Sequence, residues 1–165
     1  MFKAAENAED IGTLSVNDLK AHNLNEKDIV IGISASGSAE YVVSGILYAK
    51  SIGAKTVSIA NNKDTYLGDK ADINICADTG PEVITGSTRM KAGTAQKIIL
   101  NMISTTAMIK CGYVYQNLMI NLKPTNKKLK MRMIGIVKEI LECSIEDAEK
   151  KLEENNWNIK AAVEN

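Results

Sequence analysis

The chain has 165 residues, of which 45% are hydrophobic and only 4% aromatic, and its 20 basic and 20 acidic side chains cancel. This length suits one ordinary domain with room for a small appendage. A net charge of zero excludes the basic field that attracts nucleic acid or an anionic membrane surface, so we expect neither as a partner.

The cysteines, the histidine and the N-terminus bear on metal binding and location. Cys76, Cys111 and Cys143 are widely spaced, and His22 is the only histidine. This set lacks the paired spacing of a zinc site, so we expect no metal and free thiols. The N-terminus leads into acidic sequence rather than a signal peptide, and no apolar stretch reaches the ~20 residues of a membrane span. We therefore expect a cytoplasmic protein.

The first half of the chain predicts alternating helices and strands. After a polar segment with two short helices, 6–27, the apolar run Asp28–Ser34 predicts a strand buried on both faces. An amphipathic helix over Ala39–Ile52 and strands over Lys55–Ala60 and Ile73–Ala77 follow. Strand, helix and strand joined by short connections predict an α/β fold with a parallel sheet.

The second half of the chain is predicted to be mainly helical. Lys91–Cys111 predicts a long core helix with one apolar side, and an irregular connection follows over Tyr113–Thr125. The tail predicts three short helices, and Ser144 followed by the carboxylate of Asp147 predicts a helix cap. We therefore divide the chain into an α/β domain, 1–125, and a C-terminal helical segment of the ubiquitin-associated-domain type, 126–165.

A serine-rich loop, Ser34 to Ser38, follows the first predicted strand. Open parallel sheets bind ligands beyond the carboxyl ends of their strands, where this loop would lie. Its hydroxyls, Gly37 and the N–H groups of the next helix could hold a phosphate without net positive charge. Small residues at this junction are equally what a tight turn requires, so the loop alone leaves both interpretations open.

A second polar segment, 82–97, precedes and opens the long predicted helix. Thr85, Ser87 and Thr88 could cap that helix, whereas Arg89 and Lys91 put cationic groups at its beginning. Basic groups there oppose the helix macrodipole, at a cost of about 0.3–1 kcal/mol, so an anion bound among them would account for their position. The alternative is a capped helix with solvated charges.

Longer stretches around both loops match a known sequence pattern. The run Gly80–Met102 closely resembles the signature of N-acetylmuramic acid 6-phosphate etherases, and glucokinase-regulatory proteins share a looser version of it. Gly32–Gly37 is similar to the family's second sugar-phosphate loop, and Gly112–Met119 resembles its continuation after the long helix. The resemblance implies a sugar isomerase (SIS) domain with a parallel, three-layer, flavodoxin-like sheet.

The resemblance also implies an activity. Members of the family are lyases that remove D-lactate from N-acetylmuramic acid 6-phosphate and leave N-acetylglucosamine 6-phosphate, in cell-wall sugar recycling, as homodimers and without metal or cofactor. The substrate-binding residues that it implies are Ser34, Ser36, Gly37, Ser87, Thr88, Arg89 and Lys91.

Elimination of the lactyl ether needs a base at the sugar C2 proton and an acid at the departing oxygen. Two glutamates serve these roles in the family, and Ala8-Glu9-Asp10 resembles the element that carries one of them, which implies Glu9 as the base. The other follows a first glycine-rich loop that has no counterpart here. We therefore expect a sheet that is incomplete at its N-terminal side, with the first strand at an edge.

Two further interpretations stay open. The chain could be a non-catalytic SIS module that binds a sugar phosphate and regulates a partner, or an inactive fragment. Glu40 also departs from the family pattern, because it puts an acid after the serine-rich loop where the family commonly continues with Arg-Thr-Pro. That carboxylate could repel a phosphate in the loop, or it could point outward along the first helical turn.

Overall fold

A computed structural model describes residues 7–164, which form two compact units. The first unit ends at Asn101 and the second begins at Met102, so the division falls within one long helix. The predicted domain boundary at residue 125 is a separate division and stays a prediction. None of the helices within residues 7–164 combines the length and the apolar character needed to cross a membrane.

The first unit contains a short helical turn, a sheet and the helices around it. A 3-10 turn at Ala8–Asp10 comes first. The elements that follow are helix α1 (Gly12–Ala21), strand β1 (Ile29–Ile33), helix α2 (Glu40–Ser51), strand β2 (Lys55–Ala60), helix α3 (Tyr66–Lys70) and strand β3 (Ile73–Cys76). Helix α4, Lys91–Lys110, begins in this unit and ends in the second.

The three strands form one parallel sheet in the order β1-β2-β3. Ile31 lies opposite Val57, and Ile59 lies opposite Ile75. The α/β class with a parallel sheet is therefore confirmed, and β1 lies at an edge as expected. The prediction that β1 is buried on both faces is wrong, because Val30 and Gly32 face α2 whereas Ile29, on the opposite face of the strand, is 65% exposed.

The sheet is covered by α2 through aliphatic contacts. Val43 and Ile46 of α2 are buried in one cluster with Leu67 of α3. Gly32 of β1 lets α2 approach, since a Cβ there would lie 2.8 Å from Cγ1 of Ile46. Burial of each such aliphatic side chain contributes about 1.5–3 kcal/mol. This packing fixes the beginning of α2 directly beyond the carboxyl end of β1.

Helix α1 packs against α2 through small residues. Gly12 is the first residue of α1, and a Cβ at Gly12 would overlap the side chain of Ser44. A Cβ at Gly45 of α2 would lie 3.4 Å from Ser15 Oγ and 3.5 Å from Leu19 Cδ1. The 3-10 turn also contacts α2. The turn that carries Glu9 is therefore held against the same helix that follows the serine-rich loop.

Polar side chains on β2 are buried and paired with β3 and the residues before it. Thr56 Oγ1 donates to Asp72 Oδ2 at 2.9 Å and accepts the Asp72 N–H at 2.9 Å. Ser58 Oγ donates to Asn74 Oδ1 at 2.8 Å. Hydrogen bonds from Thr56, with a smaller contribution from Lys50, hold the pKa of Asp72 below its ordinary range. Each buried hydroxyl therefore has a partner, as burial of polar groups requires.

Helix α4 has nearly the predicted bounds but not the predicted burial. Its one buried residue is Ala92. Ile98, Met102 and Ile109 lie on the predicted apolar side and are 53%, 64% and 53% exposed. The prediction of a core helix is therefore wrong within residues 7–164, because the periodicity of apolar residues defines a face without supplying a layer to cover it.

The second unit combines the end of α4 with a hairpin and three helices. The hairpin strands are β4 (Val114–Tyr115) and β5 (Leu118–Met119), and the helices are α5 (Lys127–Leu141), α6 (Ile145–Glu154) and α7 (Ile159–Glu164). The hairpin replaces part of the predicted irregular connection. Its turn contains Gln116 at a φ of 53°, a left-handed conformation that tight hairpins favour.

The three C-terminal helices enclose their own small core. Eight side chains form it: Met133, Ile134, Ile136, Val137, Ala148, Leu152, Ile159 and Ala162. The cap predicted at α6 is confirmed, since Ser144 Oγ accepts the Asp147 N–H at 3.0 Å and donates to Asp147 Oδ2 at 2.7 Å. Asn126 caps α5 in the same way through Leu129. The predicted helical bundle is therefore present.

Candidate functional site

The segment Ser34–Ser38, called the serine loop below, is a compact turn between β1 and α2. Ser34 is buried, and its Oγ accepts the Gly37 N–H at 3.1 Å. Ser34 Oγ lies 3.3 Å from Ser36 Oγ, which lies 2.9 Å from Ser38 Oγ. Ser36 and Ser38 are exposed. The hydroxyls therefore form a chain of hydrogen bonds that leads from the sheet to solvent at the beginning of α2.

Gly37 gives the serine loop its shape. Its φ of 73° favours glycine, and a Cβ would overlap the side chain of Thr65. The Gly37 N–H is used by Ser34, and the Gly37 carbonyl accepts the Leu67 N–H at 3.1 Å. Both backbone groups thus serve the turn. The direct part in substrate binding predicted for Gly37 stays a prediction.

An open cleft of about 650 Å³ lies where the 3-10 turn meets the end of the serine loop. Asp10 and Thr13 line it from one side, and Ser38, Glu40 and Ser44 line it from the other. The fold therefore brings two segments together that are far apart in sequence. Glu9 precedes Asp10 and is exposed, but it is not among the lining residues.

The polar character of this cleft comes from carboxylates and hydroxyls. Ser44 Oγ donates to Glu40 Oε1 at 3.3 Å, so the Glu40 carboxylate lies along the first turn of α2. Asp10 supplies a second carboxylate, and none of the lining side chains is basic. Such a set accepts hydrogen bonds from sugar hydroxyls. It does not attract a phosphate, which carries the same sign of charge.

A second cavity, of about 500 Å³, lies beside the exposed edge of β1. Leu19, Val30 and Ile33 give it an apolar lining. At its rim Tyr41 Oη donates to Asp18 Oδ2 at 2.7 Å, and this hydrogen bond raises the pKa of Tyr41. The candidate residues of the serine loop do not line it, so we place the candidate site at the other cleft.

The loop between β3 and α4, residues 78–90, is anchored by Glu82. Its Oε2 accepts the Lys91 N–H at 3.0 Å, and its Oε1 accepts the Ala92 N–H at 3.0 Å. These hydrogen bonds, the one from Ala92 first, hold the pKa of Glu82 below its ordinary range. A carboxylate of the chain itself therefore meets the first N–H groups of α4.

Glu82 is the residue that sequence reasoning missed. The predicted caps of α4 were the hydroxyls of Thr85, Ser87 and Thr88, but the cap is this carboxylate, nine and ten positions before its donors. Local cap patterns span three positions, so they could not identify it. The available signal was a single acid in a segment of hydroxyls and bases.

The remaining predicted residues lie at the end of the 78–90 loop and at the beginning of α4. Ser87 is half-buried, whereas Thr88, Arg89 and Lys91 are exposed. None of these four lines the cleft between the 3-10 turn and the serine loop. The structure therefore places the predicted residues in two groups, one in the serine loop and one before and at the beginning of α4. Asn61, directly after β2, is hydrogen-bonded to Ala35 of the serine loop and to Gln96 of α4.

Comparisons with known proteins extend this picture. Residues 13–106 match the family model described as SIS domain. A relative from Colwellia psychrerythraea is 51% identical over 98% of this chain and 53% of its own length. Relatives from Oceanobacillus iheyensis and Lactobacillus gasseri are each 53% identical, over 98% and 99% of this chain and 55% of their own lengths.

All three relatives are named N-acetylmuramic acid 6-phosphate etherase, so the resemblance recognised in the sequence is confirmed. The chain spans about half the length of these curated relatives. A looser likeness, with 20% identity and a TM-score of 0.47, relates 62% of this chain to 58% of a solved chain described as a hypothetical protein.

Proposed function

Because this chain belongs to the SIS domain family, we propose that it supplies sugar-phosphate-binding and catalytic residues of an N-acetylmuramic acid 6-phosphate etherase. The reaction releases D-lactate and leaves N-acetylglucosamine 6-phosphate, in cytoplasmic recycling of cell-wall sugars. One observation carries the proposal: the serine loop lies beyond the carboxyl end of a parallel strand and shares a cleft with the 3-10 turn of Glu9. The identity to relatives of that name supports it.

We assign the phosphate to the serine loop. Ser34 and Ser36 lie between β1 and the beginning of α2, a helix of 12 residues. The positive end of a helix dipole favours an anion, and serine hydroxyls donate to phosphate oxygens. The chain of hydroxyls is already ordered by its own hydrogen bonds. Little side-chain entropy therefore remains to be lost when a phosphate replaces solvent.

We assign the sugar ring to the cleft beside that loop. The carboxylates of Asp10 and Glu40 accept hydrogen bonds from ring hydroxyls, and the 3-10 turn carries Glu9 to the margin of the cleft. In the proposed reaction Glu9 takes the proton from C2, and the electron pair of that C–H bond forms the C2–C3 double bond. The lactyl oxygen leaves C3 with the electron pair of the C–O bond and takes a proton from water to become the hydroxyl of D-lactate. Water then adds across the double bond: its hydroxyl goes to C3, and the proton held by Glu9 returns to C2.

The second group of residues is proposed to contact the substrate from the α4 side. Arg89 and Lys91 are exposed cations at the end of the 78–90 loop, and Ser87 and Thr88 add hydroxyl donors beside them. Charge-assisted hydrogen bonds from such cations to a phosphate or carboxylate are stronger than neutral ones. N-acetylmuramic acid 6-phosphate carries both kinds of anion.

A second candidate function is binding of a sugar phosphate without turnover. The observation that favours it is the position of Glu9, which is exposed and does not line the cleft. A general base must come within hydrogen-bond reach of the proton that it removes. A module with the phosphate contacts but a distant carboxylate would bind and not react.

Release of D-lactate from N-acetylmuramic acid 6-phosphate tests the first proposal. We expect turnover by the wild type, its loss in Glu9→Gln, and its retention in the matched control Glu26→Gln, which changes another exposed glutamate. Thermal stabilisation by N-acetylglucosamine 6-phosphate without lactate release would contradict the etherase proposal and support the second candidate, a binding module. The absence of both lactate release and thermal stabilisation would exclude both functions.

We also propose that the protein forms a homodimer, as the resemblance implies. The exposed apolar side chains of α4, such as Ile98 and Met102, support self-association. Sedimentation velocity over a range of concentrations measures it. A single species at the monomer mass throughout that range would contradict the proposal.

A further inference from the structure

Asn61 occupies a particular place at the carboxyl edge of the sheet. It is the residue directly after β2, the central strand, and it is only 5% exposed. In a parallel sheet the carboxyl ends of all strands meet at one edge, so a residue after the central strand lies between the segments that follow both neighbours. For Asn61 these are the serine loop after β1 and the residues after β3.

Asn61 makes hydrogen bonds to three different segments of the chain. Its backbone N–H donates to the carbonyl of Ala35 in the serine loop at 3.0 Å. Its Nδ2 donates to the carbonyl of Ala77 after β3 at 3.1 Å. Its Oδ1 accepts from Nε2 of Gln96 in α4 at 2.8 Å. One side chain therefore connects the segment after β3 with α4, while its own backbone holds the serine loop.

The chemistry of these contacts suits asparagine. An aspartate would lose the donor to Ala77, and an apolar residue would lose the acceptor for Gln96 as well. Asn62 adds a weaker tie, because its Nδ2 lies 3.4 Å from the Ala35 carbonyl. Buried polar groups whose hydrogen bonds are all made hold their surroundings in one arrangement. The serine loop and α4 are thus linked through Asn61, whose backbone N–H holds the loop and whose side chain contacts the helix.

We propose that Asn61 and Gln96 are positioning residues that couple the serine loop to the first turns of α4. A sugar phosphate that contacts either segment then fixes the arrangement of the other, although the two groups of candidate residues do not line one cleft. The inference rests on the proposed sugar-phosphate site. It assigns no contact with the ligand to Asn61 or Gln96, which act through the loop and the helix that they join.

Backbone amide chemical shifts during a titration with N-acetylglucosamine 6-phosphate test the coupling. In the wild type we expect shifts in residues 34–38 and in residues 88–92 with a single dissociation constant. In Gln96→Met, which removes the donor but keeps a side chain of similar length, we expect shifts in only one of the two segments and affinity lowered by about threefold to tenfold, as for loss of one net hydrogen bond.

Three further variants separate positioning from general disruption. Lys97→Met makes the same replacement one position along α4 at an exposed residue, and we expect wild-type behaviour. Gln96→Lys restores an N–H donor and is expected to restore shifts in both segments. Asn61→Ser keeps the backbone bond to Ala35 but cannot reach both side-chain partners, and we expect it to separate the two segments as Gln96→Met does.

The possible results distinguish this inference from the function on which it rests. If the wild type binds, and both segments still shift together at wild-type affinity in Gln96→Met or in Asn61→Ser, the coupling is refuted and the sugar-phosphate site stands. If the wild type shows no shift in either segment, the proposed site fails and the inference fails with it.

Discussion

Helices α2 and α4 occupy similar places in the chain but differ in how far their apolar sides are buried. Both follow a strand and a polar loop, and both have an apolar side in sequence. Val43, Ile46 and Ala49 of α2 are buried against the sheet and its neighbours, whereas the buried part of α4 is Ala92. An apolar side therefore shows where a helix can pack, whereas the presence of a covering layer depends on the rest of the fold.

Truncation of a buried side chain gives the largest expected difference between the two helices. Ile46→Ala removes atoms that are fully buried, and we expect a loss of about 2–5 kcal/mol in the free energy of unfolding. Ile98→Ala acts at a side chain that is 53% exposed, and we expect a change within about 0.5 kcal/mol. Urea denaturation followed by far-UV circular dichroism measures both. Equal losses would mean that α4 is covered in solution.

Glycines in the loops that precede α2 and α4 give the next largest expected difference in stability. Gly37 and Gly86 have φ values of 73° and 82°, but a Cβ at Gly37 would overlap Thr65, whereas nothing lies within 4 Å of a Cβ at Gly86. We expect Gly37→Ala to cost about 1–3 kcal/mol and Gly86→Ala about 1 kcal/mol, the backbone part alone. The same denaturation experiment measures both, and a smaller loss at Gly37 would contradict the described packing of the serine loop.

The caps of the two helices differ in their dependence on pH. No side chain caps α2 at Ala39, whereas α4 is capped by the Glu82 carboxylate, whose pKa is below its ordinary range. Because the pKa of Glu82 is lower in the folded state, the ionised carboxylate stabilises the fold at pH values above its ordinary pKa of about 4.3. This stabilisation is lost as the pH falls through the lower pKa of the folded state.

Amide exchange at Lys91 and Ala92, the two donors to Glu82, reads this cap locally. We expect their protection to decrease as pH falls through the folded pKa of Glu82, after correction for intrinsic exchange. Glu82→Gln is expected to remove that decrease and to exchange faster at neutral pH. The same pH dependence in Glu82→Gln would show that another group is responsible.

Charges in the first turns give the smallest expected difference. Glu40 is at the beginning of α2, where an acid is favourable, and Lys91 is at the beginning of α4, where a base is unfavourable. At low ionic strength we expect Glu40→Gln to lower stability by about 0.3 kcal/mol, and Lys91→Gln to have a smaller effect, because attraction to the Glu82 carboxylate offsets the unfavourable dipole. Salt should reduce both effects. A larger destabilisation by Lys91→Gln than by Glu40→Gln would contradict this balance between the dipole and the Glu82 carboxylate.

Much of the fold follows from short sequence patterns. β2 has the predicted bounds, and β1, β3 and α4 differ from the predicted ranges by one or two residues, because β-branched runs and apolar periodicity are local signals. The Ser144 cap was predictable for the same reason, since its partner Asp147 is three positions away. The position of the serine loop then followed from the topology of a parallel sheet.

The rest depends on pairs that no local pattern contains. Glu82 meets α4 across nine and ten positions, and Asn61 meets Gln96 across 35. These residues have ordinary side chains whose roles arise only when the sheet has brought the segments together. The exposure of α4 could not be predicted either, because an apolar side has the same sequence pattern with or without a covering layer.

The single tryptophan has a practical consequence for every such experiment. Trp157 packs on the core of the C-terminal bundle, with Nζ of Lys130 4.6 Å from the centre of its ring. Its emission therefore reports the surroundings of the second unit alone. If the two units unfold at different denaturant concentrations, fluorescence will follow one transition and circular dichroism two. A substitution such as Ile46→Ala would then destabilise the first unit without any change in the fluorescence curve.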